Sequence, residues 1–257
     1  MASAPSFSPW EPNRANFDID KQKWELYNID EDFSQTNDLA SAQPEKLRAL
    51  QDLWWVEASK YNVLPLDWRA VERLNAELMG RPSLAGDARV FTYYEGQVGL
   101  ANEACPRILN KSWSLTADLT IPASGAEGMI NTYGGMVGGY GLYVKGGKLH
   151  FVYNYLDIDR YVAVSQSALP KGKVQVKVDV KSEGKEGEFG KPATVVMSVN
   201  GKNAGAGMLP KTIPLQISLG EGMDVGMDIG SAVDFSYKLP YKFTGKIEKV
   251  VIEISNY

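Results

Sequence analysis

Hydrophobic and polar residues alternate over several stretches of the chain after residue 90. In Ser112–Ile121 the apolar members are Trp113, Leu115, Ala117, Leu119 and Ile121, and in Lys173–Lys181 they are Val174, Val176, Val178 and Val180. A period of two places one face of a strand on a core and the other in water, as in antiparallel sheets. Gly146-Gly147 and Asn200-Gly201 separate further alternating stretches and predict hairpin turns. The pattern predicts a mainly β fold, an antiparallel β-sandwich or jelly roll over residues 81–257.

The first 80 residues follow a helical pattern instead. Over Pro44–Tyr61 the apolar residues Leu47, Leu50, Trp54 and Tyr61 share one face of a helix, and Pro44 suits its first turn. A second, shorter helix is predicted over Asp67–Met79, with Asp67 as its cap and Gly80 as its end. The chain is therefore predicted to consist of a helical N-terminal segment, residues 1–80, and the sandwich, with Arg81–Arg89 as the linker.

Composition narrows the function classes. The 257 residues carry a net charge of −4, which gives no long-range attraction to nucleic acid. No apolar run approaches the ~20 residues that span a bilayer, and no secretory signal is visible in the N-terminal stretch. The single cysteine excludes a framework of internal disulfides and leaves the compartment undecided. We therefore expect a protein that binds neither nucleic acid nor membrane.

Short motifs extend the interpretation beyond fold class. The N-terminal ones are Lys23–Asn28 (KWELYN), Asp30–Ser34, Asp38–Ala40, Pro44–Leu47 and Lys60–Asp67. Their order and spacing resemble the end of the catalytic domain in large arylsulfatases. Motifs at 125–128, 134–135, 138–139, 142–145, 153–155, 224–226 and 243–245 resemble that family's C-terminal domain. The resemblance covers roughly residues 9–255, and it implies a concanavalin-like sandwich that serves as a non-catalytic accessory domain of an arylsulfatase-like protein.

The same resemblance implies what the chain lacks. Arylsulfatases hydrolyse sulfate esters with a formylglycine made from the Cys or Ser of a C/S-x-P-x-R motif, together with a divalent cation. This sequence has no such motif, and Cys105-Pro106-Arg107 imitates it without the spacer residues. We therefore expect a chain without the catalytic core, with no sulfatase turnover and with Cys105 structurally incidental. The implied partner is the missing sulfatase catalytic domain or, by self-association, a second copy covering the tryptophan-rich segment Trp10–Trp68.

A free-standing hydrolase of sulfate, phosphate or carboxylic esters is a further hypothesis. It would pair Cys105 with His150, the only histidine, and an orienting acid such as Asp118, since an imidazole can generate the attacking thiolate. The alternative is that His150 is a solvent-facing or hydrogen-bonded structural residue and that Cys105 has no chemical role.

A structural calcium is the only cofactor that the sequence suggests. Asp224, Asp228 and Asp234 lie in a glycine-containing loop region, and hard oxygen ligands suit calcium. The alternative is a set of turns stabilised by aspartate side chains, with no cofactor at all.

A carbohydrate-binding module is the remaining hypothesis for function. Aromatic and polar residues crowd around one predicted hairpin, and sugars stack their C–H faces on rings while amides and charged groups take the hydroxyls. The candidate ligand-binding residues are Tyr133, Tyr140, Tyr153, Asn154, Tyr155 and Arg160, with Tyr143, Asp157 and Tyr161 nearby. The alternative is that these tyrosines line a face covered by the helical segment or by the missing catalytic domain.

Overall fold

The protein divides into two compact units. The computed structural model describes residues 22–66, 71–75, 79–82, 84–185 and 188–255. The units are Met1–Leu74 and Asn75–Tyr257. The boundary therefore falls after Leu74, whereas the change of hydrophobic pattern predicts it after Gly80.

Among the described residues of the N-terminal unit, one regular helix, α1, spans Pro44–Lys60. Pro44 lies in the first turn, where its missing N–H costs nothing, and the N–H of Tyr61 closes the last turn on the Glu57 carbonyl at 3.0 Å. The predicted first helix is thereby confirmed. Of the predicted second helix, residues 71–74 form one 3₁₀ turn, while residues 67–70 and 76–78, with the expected cap Asp67, lie outside the described residues.

The C-terminal unit is a sandwich of two antiparallel sheets. The six-stranded sheet has the order β1-β11-β2-β7-β8-β9, and the five-stranded sheet has the order β10-β3-β4-β5-β6. The strands are β1 Val90–Tyr93, β2 Trp113–Ile121, β3 Gly128–Gly135, β4 Gly138–Lys145, β5 Lys148–Tyr155, β6 Asp159–Ala168, β7 Gly172–Ser182, β8 Ala193–Val199, β9 Lys202–Leu209, β10 Met223–Val225 and β11 Lys246–Ile254. The predicted class, a mainly β antiparallel sandwich with a helical N-terminal segment, is confirmed.

Both predicted hairpin turns are present. Gly146-Gly147 joins β4 to β5 with φ angles of 58° and 73°, and Asn200-Gly201 joins β8 to β9 with φ angles of 49° and 74°. Two consecutive positive φ angles define the turn that matches the twist of paired strands, and asparagine and glycine adopt them at low cost.

The alternating residues of β2 and β7 form the inner layer of the core. Trp113, Leu115 and Val176 belong to the cluster between the sheets, and the opposite faces of both strands are polar. Tyr140 lies in the same cluster, with its ring centroid 4.9 Å from that of Trp113 and 5.9 Å from that of Phe151. Its hydroxyl donates to Oδ1 of Asn131 at 2.8 Å, so the most buried aromatic residue also satisfies a buried amide.

A second layer covers the outer face of the five-stranded sheet. We call residues 226–245 the covering segment. Tyr237 and Val233 from this segment pack on Met129, Tyr143 and Val152 of the sheet. A Cβ at Gly128 would lie 2.1 Å from the carbonyl oxygen of Lys242, so only glycine permits this close approach. Strands β3 and β4 are therefore buried on both faces, and the covering segment supplies the outer cover.

The outer face of the six-stranded sheet is mostly polar, although Val196 and Met208 are also exposed on it. Lys177 pairs with Asp179 at 2.6 Å, and Lys249 approaches Asp118 at 3.6 Å. These exposed ion pairs contribute little to stability, but their charges keep this face of the sheet solvated. None of the described helices is long and apolar enough to cross a membrane.

Candidate functional site

Four of the six residues predicted to bind a ligand are buried: Tyr133, Tyr140 and Tyr153 lie between the sheets, and Asn154 lies on the opposite face of β5. Tyr140 and Asn154 are fully buried, and Tyr133 and Tyr153 are each 4% exposed. The Tyr153 hydroxyl accepts from the N–H of Ile213 at 2.9 Å, and the Asn154 amide donates to the carbonyls of Gly135 and Met136. The prediction is wrong for these four, because the layers packed on both faces of β3, β4 and β5 keep a ligand from reaching their buried side chains.

Tyr155 and Arg160 are half-buried where β5 turns into β6. The Arg160 guanidinium lies 3.9 Å from the ring centroid of Phe235, and its Nε donates to the carbonyl of Val233 at 3.1 Å. Its Nη2 pairs with Asp157 at 2.6 Å. Arg160 thus fastens the covering segment to the sheet. The alternative expectation was that another part of the protein covers the tyrosines. Tyr133, Tyr140 and Tyr153 are covered by the core between the sheets, and Tyr143 is covered by the covering segment.

The proposed catalytic group of Cys105, His150 and Asp118 is not assembled. Cys105 is 1% exposed in the core between the sheets, whereas His150 stacks on Tyr143 of the outer cluster with centroids 5.0 Å apart. Asp118 lies near Lys249 on the polar face of the other sheet. Burial raises the pKa of the Cys105 thiol to about 12, and desolvation lowers the pKa of His150. The hypothesis of a cysteine nucleophile is wrong, because the three groups lie in three different layers.

Cys105 is also more than incidental. Its Sγ donates to the carbonyl of Ala101 at 3.2 Å, and it packs within the core. We expect Cys105→Ala to lower the free energy of unfolding by about 1–2 kcal/mol in urea titrations, because it leaves a small void and removes the hydrogen bond of the thiol. In the folded protein near neutral pH the thiol should resist an aromatic disulfide reagent and react after denaturation. Rapid modification of the folded protein would contradict this assignment.

The three aspartates of the expected calcium site are held separately. Oδ1 of Asp224 accepts from the N–H of Gly99 at 2.6 Å, Asp228 accepts from the Tyr237 hydroxyl, and Oδ2 of Asp234 accepts from the Tyr143 hydroxyl at 2.8 Å. Within the described ranges, no three acidic, histidine or cysteine side chains gather closely enough to hold a metal ion. The grouping of these aspartates into a calcium site is therefore corrected to three separate hydrogen-bond acceptors.

A solvent-accessible cavity lies beside the edge strand β1. Its volume is about 290 Å³. Its walls are the turn at residues 85–88 and the side chains of Arg89, Phe91, Arg107, Lys111, Ile254 and Ser255. Three cationic side chains and one carboxylate, that of Asp87, therefore surround it.

Two backbone contacts anchor the β1 side of the cavity. β1 pairs with β11 in the register Phe91↔Ile252, and the N–H of Ile254 donates to the carbonyl of Arg89 at 2.8 Å. The Phe91 side chain is half-buried and packs partly on the core. The hydrogen bonds between β1 and β11 thus fix the backbone of Arg89 at the edge of the sheet. The part of the Phe91 ring that does not pack on the core lines the cavity.

The opposite side of the cavity is the loop that leads into β2. Cys105 and Ile108 insert their side chains into the core. Asn110 adopts a positive φ of 56°, donates to the carbonyl of Pro214 at 2.7 Å and accepts from the N–H of Gly190 at 2.9 Å. These anchors flank Arg107 and Lys111, so two cationic side chains leave a fixed backbone.

Sequence reasoning did not identify this site. Arg89, Arg107 and Lys111 stand in irregular segments with no shared period, and nothing in their spacing associates them. Of these three residues, only Arg107 drew notice in the sequence, as part of the sulfatase-like Cys105-Pro106-Arg107. The three meet because β1 and β2 flank β11 in one sheet.

Comparison with known proteins assigns no family. No protein-family model and no curated protein matches the chain. Among solved structures it is similar to the CBM40 of Ruminococcus gnavus IT-sialidase bound to alpha2,3 sialyllactose, with 13% identity, a TM-score of 0.43 and coverage of 66% of this chain and 92% of that one. It is also similar to domains LG4-5 of the mouse laminin alpha1 chain, with 16% identity, a TM-score of 0.39 and coverage of 65% and 39%. A third similar structure is a SAP-like pentraxin from Limulus polyphemus, with 11% identity, a TM-score of 0.35 and coverage of 65% and 78%.

Proposed function

We propose that this protein is a non-catalytic carbohydrate-binding domain and that the cavity beside β1 is its binding site. The single observation that carries the proposal is the cavity lining, which combines cationic donors with a phenylalanine ring at one concave place. Pockets that bind small molecules typically combine apolar walls with a few convergent polar groups.

The lining matches the mixed surface of a sugar. The hydroxyls of a sugar ring need donors, which Arg89, Arg107 and Lys111 supply, and acceptors, which Asp87 and the Ser255 hydroxyl supply. The C–H face of the ring is apolar, and Phe91 and Ile254 offer a matching wall. A ligand that was entirely polar or entirely apolar would leave part of the lining without a matching contact.

The size of the cavity favours recognition of a short segment. About 290 Å³ lies at the lower end of ligand pockets, which begin at ~300 Å³. This volume fits one ring with its substituents, while neighbouring rings of a longer chain would extend into solvent. Affinity per site is then expected to be modest, since few groups are desolvated.

Binding to an oligosaccharide array tests the proposal, with calorimetry on the members that bind. Ala88→Phe fills the cavity from its exposed wall and should weaken binding at least tenfold. Ala123→Phe makes the same change at an exposed turn between β2 and β3 and should leave binding unchanged. The proposal fails if no array member binds or if the two variants behave alike.

The arylsulfatase resemblance remains a separate prediction. The accessory role, the sulfatase catalytic domain as partner and self-association all rest on sequence motifs. Light scattering at several protein concentrations tests self-association, for which a rise in mean mass with concentration is expected.

A further inference from the structure

We propose that the carbohydrate taken by the cavity is acidic, with a carboxylate or sulfate group held among Arg89, Arg107 and Lys111. This inference rests on the proposed function and adds the chemical class of the ligand. Its basis is the charge and the anchoring of the cavity walls.

The walls of the cavity carry more positive than negative charge. The chain as a whole carries a net charge of −4, yet three cations and one carboxylate surround this single cavity. Like charges gathered around a concave surface repel one another and produce a positive potential that attracts anions. A neutral sugar would leave that potential uncompensated, whereas an acidic sugar would neutralise part of it.

Two of the cations in the cavity walls are partly desolvated. Arg107 and Lys111 are half-buried, and Arg89 is exposed at the rim. A cation that has lost part of its water gains more from an oxyanion than a fully exposed one does. Arg107 and Lys111 also interact within the protein. The proposal requires their charge and remaining donors, and an arginine with five N–H donors can serve more than one acceptor.

Guanidinium and ammonium groups recognise an oxyanion with different geometries. A guanidinium presents a planar fork that matches two oxygens of a carboxylate or sulfate, while an ammonium acts as a point charge. Arg107 and Lys111 project from a loop anchored by Cys105, Ile108 and Asn110. Arg89 projects from the opposite wall, where its carbonyl is bonded to β11. An oxyanion between the two walls would therefore contact cations on both sides. Because the backbone that carries these cations is already fixed, less conformational entropy is lost on binding.

The experiment compares matched neutral and acidic oligosaccharides by calorimetry. Galactan fragments with and without sulfate esters test the sulfate, and polymannuronate and mannan fragments test the carboxylate. Inorganic sulfate alone is the fifth titrant. We expect one acidic fragment to bind at least tenfold more tightly than its neutral partner, and the pair in which this occurs identifies the anionic group. Raised salt should reduce that difference.

Variants distinguish this cavity from nonspecific attraction. Arg107→Gln and Lys111→Gln should each weaken binding of the acidic fragment about tenfold and bring it close to the neutral one. Lys173→Gln and Lys181→Gln remove the same charge from exposed positions of β7 and should change binding less than twofold. Urea midpoints of all four variants establish that each is folded before it is compared.

The outcomes separate the two proposals. If neutral fragments bind as tightly as acidic ones and Ala88→Phe abolishes that binding, the acidic class is refuted and carbohydrate binding stands. If inorganic sulfate binds as tightly as any fragment, the cavity is an anion site and both proposals fail. Both also fail if no fragment binds. Equal losses from the cavity and β7 variants would refute the assignment to this cavity.

Discussion

Replacing Tyr140 with alanine should lower the free energy of unfolding by about 4 kcal/mol. Tyr140 is fully buried, and its ring contacts those of Trp113 and Phe151 between the two sheets. The truncation would remove these contacts, leave a cavity and strip Oδ1 of Asn131 of its donor. Urea unfolding, monitored by far-ultraviolet circular dichroism, measures the loss of unfolding free energy.

Two companion variants make this test specific. Tyr140→Phe keeps the ring and removes only the hydroxyl, so a loss of about 1–3 kcal/mol is expected from the unpaired Asn131 oxygen. Tyr94→Ala removes a tyrosine that is 58% exposed and should change stability by less than about 0.5 kcal/mol. A Tyr140→Ala protein as stable as the Tyr94→Ala protein would contradict the placement of Tyr140 in the core.

The second large effect expected is on pH dependence, through Asp228. Burial raises the pKa of this carboxyl from 3.8 to about 6, and the negative charges of Asp224 and Glu221 add to the effect. Between these two pKa values the folded protein holds a proton that the unfolded chain releases. Stability therefore falls as pH rises from about 4 to about 7, and the pKa difference corresponds to about 3 kcal/mol.

The variant that isolates this contribution is Asp228→Asn. An asparagine keeps an oxygen to accept from the Tyr237 hydroxyl but carries no charge to desolvate. Near neutral pH it should be more stable than the original protein by up to about 3 kcal/mol, and near pH 4 the advantage should vanish. Glu253→Gln removes the same charge from an exposed position on β11 and is the control for the loss of one negative charge. An Asp228→Asn advantage that is constant over this pH range would refute the assignment.

The covering segment contains two of the aspartates that were predicted to bind calcium, Asp228 and Asp234. Asp228 and Tyr237 belong to it, and Asp234 of the same segment accepts from Tyr143 of the sheet. Two of the three aspartates that suggested calcium, Asp228 and Asp234, therefore accept hydrogen bonds from tyrosine hydroxyls, whereas Asp224 of β10 accepts from the N–H of Gly99. The bond between Asp234 and Tyr143 holds the covering segment on the sheet, and the bond between Asp228 and Tyr237 lies within the segment.

Local pattern was sufficient to predict the strands and their turns. Alternation in β2 and β7 identified the buried faces, because a strand places successive side chains on opposite sides wherever it lies. Gly146-Gly147 and Asn200-Gly201 identified two hairpins, because few residues adopt consecutive positive φ angles. These features depend on neighbouring residues, and for that reason the sequence alone determined the mainly β class and the helical segment that precedes it.

Tertiary structure decided which aromatic and charged residues are accessible. Tyr140 and Tyr155 look alike in sequence, but one lies between the sheets and the other at the strand end, since the depth of a residue depends on what packs over it. Arg89 and Arg107 are 18 positions apart in the printed sequence, and only the pairing of β11 with both β1 and β2 brings their walls together. A local pattern reports the face of a strand, whereas a cavity arises from contacts between segments distant in sequence, and those contacts are settled only when the whole sandwich folds.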